Sequence, residues 1–148
     1  MTLKSLYEYF KLNPESTWIM RWENAVNLYN FIKENNIHKV LDLGTGIGFS
    51  AAVAAMAFHD KGETDWHIDS VEQYDKCIKI ANKLIPEEFL KGISIHKSEP
   101  EAIQIEGILY QYFSVYKELP EQPEGGWDLI CNDGPSPFLI NNKDVITR

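Results

Sequence analysis

Apolar and polar positions along this chain follow two different periods, and the switches between them outline its elements. Trp18, Trp22, Ala25, Val26, Tyr29 and Ile32 recur at helical spacing and give one apolar face running to about Glu34. Asn13-Pro14-Glu15 reads as the start of that helix, with an N-cap, a first-turn proline and an early carboxylate, and Asn35-Asn36 as its end. Trp18 and Trp22, one turn apart, are expected to pack on the core; the alternative is a lid or a contact with a second copy. Residues 39–43 form an apolar run that predicts a first strand, followed by an alanine-rich helix over 49–58 and a polar turn over 59–63. A second strand is expected over 66–71, closed by Glu72, then a helix over 73–85 stopped by Pro86. Residues 93–96 read as a short third strand. Tyr110, Phe113 and Tyr116 predict a helix over 106–119 with these aromatics on its core side, and 127–132 reads as a fourth strand after a Pro/Gly loop.

Strands separated by helices imply a parallel sheet with right-handed crossovers. The expected fold is α/β, a doubly wound Rossmann-like parallel sheet over residues 37–148, with an N-terminal helical segment over 1–36 packing on it. Only Asp133 to Arg148 follows the fourth strand, so the sheet is expected to be truncated there. An apolar edge strand is normally covered. Either a longer chain or a second copy in a homodimer is expected to cover this one.

Composition narrows the partners. Hydrophobic residues make up 44% and charged residues 24%, the make-up of a soluble globular domain. A net charge of −8 with no Lys/Arg run argues against non-specific binding to nucleic acid or to an anionic membrane, both polyanions. The longest apolar stretch, 51–58, is far too short to span a bilayer, and Met1-Thr2-Leu3-Lys4 does not open a signal peptide. Cys77 and Cys131 have no metal-type spacing and read as free thiols, which points to a reducing, cytoplasmic setting.

The chemistry concentrates in Val40-Leu41-Asp42-Leu43-Gly44-Thr45-Gly46-Ile47-Gly48, an apolar strand running into three alternating glycines and then a helix. This strand–turn–helix builds a nucleotide pocket at the carboxyl end of a sheet. Gly46-Ile47-Gly48-Phe49-Ser50-Ala51 satisfies the dinucleotide pattern G-x-G-x-x-G/A, with Glu72 as the downstream acid. The register beginning at Asp42 suits S-adenosylmethionine instead. Electrostatics favours the second, because Asp42, Glu72, Glu99 and Asp133 all fall at or just past the carboxyl ends of the four strands. Each pyrophosphate charge brought within ~6–8 Å of one such acid costs roughly 2–3 kcal/mol at an effective dielectric of ~20. A sulfonium donor is net positive and meets no such penalty. Glu72 can accept both hydroxyl protons of a ribose; the plainer alternative is an acid favoured at a helix start.

These motifs give the chain a resemblance to class I S-adenosylmethionine-dependent methyltransferases over residues 40–135. Val40 to Gly48 is the glycine-rich motif and Ser70-Val71-Glu72 the acidic motif. Trp127-Asp128-Leu129-Ile130-Cys131-Asn132-Asp133-Gly134-Pro135 resembles the fourth-strand segment of small-molecule and O-methyltransferase branches. The resemblance implies that Asp42, Gly44, Thr45, Gly46 and Gly48 line the methionine part of the donor. It places Glu72 on the ribose, Gln73 beside the adenine edge, Ser98 and Glu99 near the adenine, and Asp133 facing the transferred methyl as base or orienting group. Asp133 is also a candidate Mg²⁺ ligand by the same resemblance, although no further ligand can be named. The family's N-methyltransferase signature, Asn/Asp-Pro-Pro and an aromatic, is absent. The implied reaction is methyl transfer to an oxygen, or a nitrogen, of a small-molecule acceptor. The competing readings are an NAD(P)-dependent oxidoreductase and a non-catalytic Rossmann-like binding protein. Of the four histidines, only His96, at the end of the third strand, is placed to serve as a base.

Overall fold

A computed structural model of the chain describes residues 1–104, 112–135, 138–141 and 144–147. Helices α1 (Leu3–Lys11) and α2 (Trp22–Glu34) precede strand β1 (Lys39–Leu43) and helix α3 (Phe49–Lys61). Strand β2 (His67–Glu72) leads through α4 (Asp75–Leu84) and α5 (Glu87–Leu90) to β3 (Ile93–Lys97). Strands β4 (Pro100–Gln104) and β5 (Tyr112–Tyr116) form an antiparallel pair; β6 (Leu129–Asn132) follows, then the pair β7 (Phe138–Asn141) and β8 (Asp144–Thr147).

The main sheet has the order β3-β2-β1-β6, all neighbours parallel. This is the Rossmann-like sheet the alternation of elements implied. The order reverses at β1, and a crevice opens where chains leave the sheet in opposite directions from neighbouring strands. Asp128 sets the register of β6. Its carboxylate accepts from the backbone N–H groups of His38 and Lys39 at 2.8 and 2.9 Å, and its own N–H donates to the Lys39 carbonyl at 2.7 Å.

Alternation within the strands splits the core. Val40, Ile68 and Ile93 join one cluster with residues of α1, α2, α3, α4 and α5, whereas Leu41 and Val71 meet Tyr116, Leu43 and Trp127 in a second. Helix α3 is the hub of the first. Of residues 49–58 all but half-buried Ser50 lie inside, as expected of a helix apolar on every side. Its alanines let α2 approach closely, and Gly62 ends it in the left-handed region with its N–H on the last-turn carbonyls.

Three expectations are corrected. The residues 112–116 form β5, paired with β4, and are not a helix; the aromatic and β-branched side chains of Tyr-Phe-Ser-Val-Tyr suit a strand, and cross-strand pairing overrides the helical spacing. The remainder of that expected helix, including Tyr110, lies partly outside the described residues. Asn13-Pro14-Glu15 caps no α-helix: the Asn13 side chain accepts from the Glu15 N–H at 2.9 Å in a tight turn, a single 3-10 turn follows over Ser16–Trp18, and α2 starts only at Trp22. Trp18 is 89% exposed and is no core residue, while Trp22 packs at 5.4 Å from the Tyr7 ring. Finally, α1 was not anticipated. Thr2 and Ser5 form a reciprocal cap, and Leu6 and Phe10, one turn apart, are fully buried.

Candidate active site

The site grows from the turn between β1 and α3. The N–H groups of Gly44 and Thr45 both donate to the Val71 carbonyl, at 2.9 and 3.1 Å, which ties the loop to the end of β2. Gly44 has φ +98°, and a Cβ there would lie 2.8 Å from the Asp133 carbonyl oxygen; only glycine lets the loop after β6 come this close. Gly46 differs. A Cβ at Gly46 would meet nothing within 4 Å, so its open side faces the cleft.

Asp42 is 3% exposed beneath this loop. Ser50 Oγ donates to both its oxygens at 2.9 and 3.0 Å, and Ser70 Oγ donates at 2.7 Å. Since the Ser70 hydrogen is used on Asp42, the Thr45 hydroxyl 2.6 Å away donates to Ser70, giving a chain Thr45–Ser70–Asp42. Burial pushes the Asp42 carboxyl up to about 6; the serine bonds oppose this, and the charges of Asp133 and Glu72 add to it. Asp42 thus feels both of the other carboxylates at this end of the sheet.

Glu72 ends β2 and is 5% exposed. One oxygen accepts from the Gly46 N–H at 2.7 Å, and the other from the N–H groups of Gln73 and Tyr74 at 2.8 and 3.1 Å. The carboxylate therefore latches the glycine loop to the start of α4, with lone-pair capacity left on the oxygen facing Gly46.

Two lobes of a cleft meet at Gly44, Gly46, Trp18, Cys77 and Asp133. The smaller, about 110 Å³, continues along Thr45, Ile47, Phe49 and Ser50 to Ile19 and Met20. The larger, about 290 Å³, continues along Glu72, Gln73, Tyr74, Tyr116, Gly134 and Pro135. Tyr116 reaches it from β5, and burial, with the charges of Glu72, Asp42 and Asp133 behind it, pushes the phenol above its ordinary range. Trp18, Tyr74, Cys77 and Tyr116 were not singled out as site residues from sequence. Trp18 and Tyr116 were read as core, and only the unexpected turn and hairpin bring them here.

Asp42, Gly44, Thr45, Gly46, Glu72, Gln73 and Asp133 come together, and Gly48 caps α3 behind them with φ +96°, against Ile85 and Ala81. Ser98 and Glu99 do not line this cleft. Ser98 is buried at the β3–β4 junction, its hydroxyl accepting from the Glu118 N–H at 3.0 Å, and Glu99 turns outward to Lys97 at 3.4 Å. They are held there because β4 pairs with β5 immediately after them. His96 is engaged elsewhere, its Nε2 lying 2.9 Å from the Asp69 carboxylate that also receives the Trp127 indole N–H. Among the described residues no group of three or more His, Cys, Asp and Glu is placed to hold a metal ion.

Residues 21–102, more than half of the chain, match a family model, that of protein-L-isoaspartate(D-aspartate) O-methyltransferases. The chain belongs to this family. The matched region runs from the start of α2 to β4 and includes Asp42, the three glycines and Glu72. No curated protein sequence matches the chain. Solved structures share the fold. A Staphylococcus aureus protein described as a caffeoyl-CoA O-methyltransferase is 22% identical, with a TM-score of 0.54 over 67% of this chain and 44% of its own length. An S-adenosylhomocysteine-bound methyltransferase from Podospora anserina is 14% identical, with a TM-score of 0.52 over 63% of this chain and 39% of its own. A Bacillus cereus O-methyltransferase in complex with S-adenosylhomocysteine is 14% identical, with a TM-score of 0.51 over 64% of this chain and 42% of its own. The chain thus spans about two fifths of the length of these proteins. Among the described residues no helix of this family member is long and apolar enough to cross a membrane.

Proposed function

We propose that this chain binds S-adenosylmethionine in the cleft between the glycine loop and Glu72 and directs its methyl group to a carboxylate oxygen of a peptide or protein acceptor. The observation that carries the first half is the open side of Gly46 in a cleft lined by Glu72 and Asp133, with Asp42 buried beneath the loop to complete a ring of acids. Such a ring attracts a net-positive donor and repels a pyrophosphate. The second half rests on membership of a family named for isoaspartyl methylation. It moves the acceptor from the small molecule suggested by the segment after β6 to a peptide carboxylate.

Bound there, the donor supplies an electrophilic methyl carbon: as an acceptor carboxylate oxygen forms the new C–O bond the C–S bond breaks, its electron pair stays on sulfur, and a neutral ester results. No proton moves in that balance, so Asp133 need not act as a base. Its part is to orient and to hold the neighbouring charge. Asp42 and its two serines fix the loop from below. Glu72 keeps the Gly46 N–H aligned and offers its remaining lone pair to a ribose hydroxyl. The enzyme's share of the rate is orientation and the exclusion of water from two opposite charges that cancel as they react.

Calorimetric titration with S-adenosylhomocysteine, beside NAD as control, tests the donor. At about 100 times Kd the ligand stabilises the fold by ~2.7 kcal/mol, visible as a higher melting temperature. Binding of NAD and not of the homocysteine ligand would overturn the reading. Transfer of labelled methyl from S-adenosylmethionine to an isoaspartyl peptide, released as methanol by mild base, tests the acceptor. A base-stable product would mean that a nitrogen or a hydroxyl oxygen had been methylated instead.

A further inference from the structure

A second hollow, about 450 Å³, borders the donor cleft: Ile19, Met20, Ser50 and Asp133 line both it and the smaller lobe, and Asp133 is shared with the lobe that holds Glu72. Leu28 extends the apolar wall of Ile19 and Met20, and Arg21, Asn24, Asp42, Cys131 and Asn132 complete the lining. Arg21 is one of two arginines in a chain of net charge −8, the other being Arg148. Among the described residues its guanidinium pairs with no carboxylate. Among the described residues Arg21 is the one cation lining the hollow, beside Asp42 and Asp133. An anionic acceptor entering there is repelled by Asp42, Glu72 and Asp133 together, and a guanidinium opposite them is the group that offsets this.

Resting on the carboxylate reading above, we propose that this hollow is the acceptor site and that Arg21 holds the acceptor's carboxylate at its mouth, with the apolar wall receiving the body of the peptide. A planar guanidinium donates in a fork to a carboxylate and still leaves a lone pair on each oxygen, so holding and attack are compatible. The donor's own methionyl carboxylate is the other possible source of this anion. None of residues 44–48 of the glycine loop lines this hollow, which favours the acceptor.

Two arginines make the test direct. In the ¹⁵N-labelled full chain the Arg21 Nε–H resonance is assigned by its loss in Arg21→Lys. S-adenosylhomocysteine is added to saturation first, followed by an isoaspartyl peptide. The expected result is an Arg21 signal that moves with the peptide and not with S-adenosylhomocysteine. By calorimetry, Arg21→Met should bind the peptide about tenfold or more weakly, the scale of a lost charge-assisted hydrogen bond. Its S-adenosylhomocysteine affinity should stay within about twofold of the parent, and Arg21→Lys should recover part of the peptide affinity. An Arg21 signal that responds to S-adenosylhomocysteine, or equal loss of both affinities, assigns Arg21 to the donor and overturns the proposal. So does an Arg21 signal unmoved by the peptide in a protein that binds S-adenosylhomocysteine. A parent chain that binds no S-adenosylhomocysteine at all instead removes the donor reading itself.

Discussion

Gly46 and Asp42 divide the work of the rim between space and charge. Because a Cβ at Gly46 meets nothing of the protein, a side chain there fills the cleft and leaves the packing alone. Asparagine tolerates the left-handed backbone of φ +53° found at this position. Gly46→Asn is therefore expected to keep the parent's circular dichroism and melting behaviour while losing S-adenosylhomocysteine binding by calorimetry. Asp42 titrates inside the fold. Its folded-state value of about 6 stands above the ordinary 3.8, so the native state binds the proton more readily than the unfolded chain. Asp42 alone then lowers stability as pH rises from about 4 to 6, by about 3 kcal/mol in all. Asp42→Asn should remove that limb and be about 1–3 kcal/mol more stable in urea at pH 7.5. A donor bearing an ammonium prefers the ionised rim, so the parent's S-adenosylhomocysteine affinity should rise with pH through about 6, and the variant's should not. The residues that sequence disclosed here are those with a backbone reason, the glycines and the acids ending strands. Ser50 and Ser70, which satisfy Asp42, carry no such signal; they are recognisable only once β2 and α3 lie against β1.

Elements show the same division. The four parallel strands and helix α3 were legible because short apolar or alternating runs, and one alanine-rich run, stand between turn residues. The hairpin β4–β5 was not, since Tyr112 to Tyr116 also fits a helical spacing and only pairing with residues 100–104 decides the matter. The start of α2 was misplaced because Pro14 suits a turn as well as a helix, and the Asn13 side chain closes the turn. Two site residues, Trp18 and Tyr116, depend on these two departures. Helix α3 itself is held by small side chains on all sides. Ala54, 1% exposed, has no room for added methylenes. Ala54→Leu is expected to cost about 1–3 kcal/mol of unfolding free energy by urea denaturation, through overpacking against neighbouring elements.

Across the whole molecule the carboxyl ends of β1, β2 and β6 converge, which places the acids, the glycine loop and both hollows at one end of the sheet. The opposite end carries the device that keeps β6 in place. Asp128 is held below the usual carboxylate range by the N–H groups of His38 and Lys39. Its contribution to stability is complete above the ordinary carboxylate value and is lost as acid takes the pH down through its depressed one. Asp128→Ala should lower the urea midpoint at pH 7 and lack that acid limb in a stability–pH series; an unchanged midpoint would mean the clip is dispensable.

The clip at Asp128 lies about 17 Å along the strand from Asp133. A β-strand that slips by one position turns every side chain to the opposite face. Substitution of Asp128 can therefore weaken binding at the far end of the sheet although its side chain touches nothing there. In a screen for inactive variants this foot of the sheet would score like a catalytic position, and only a measured stability would tell the two apart.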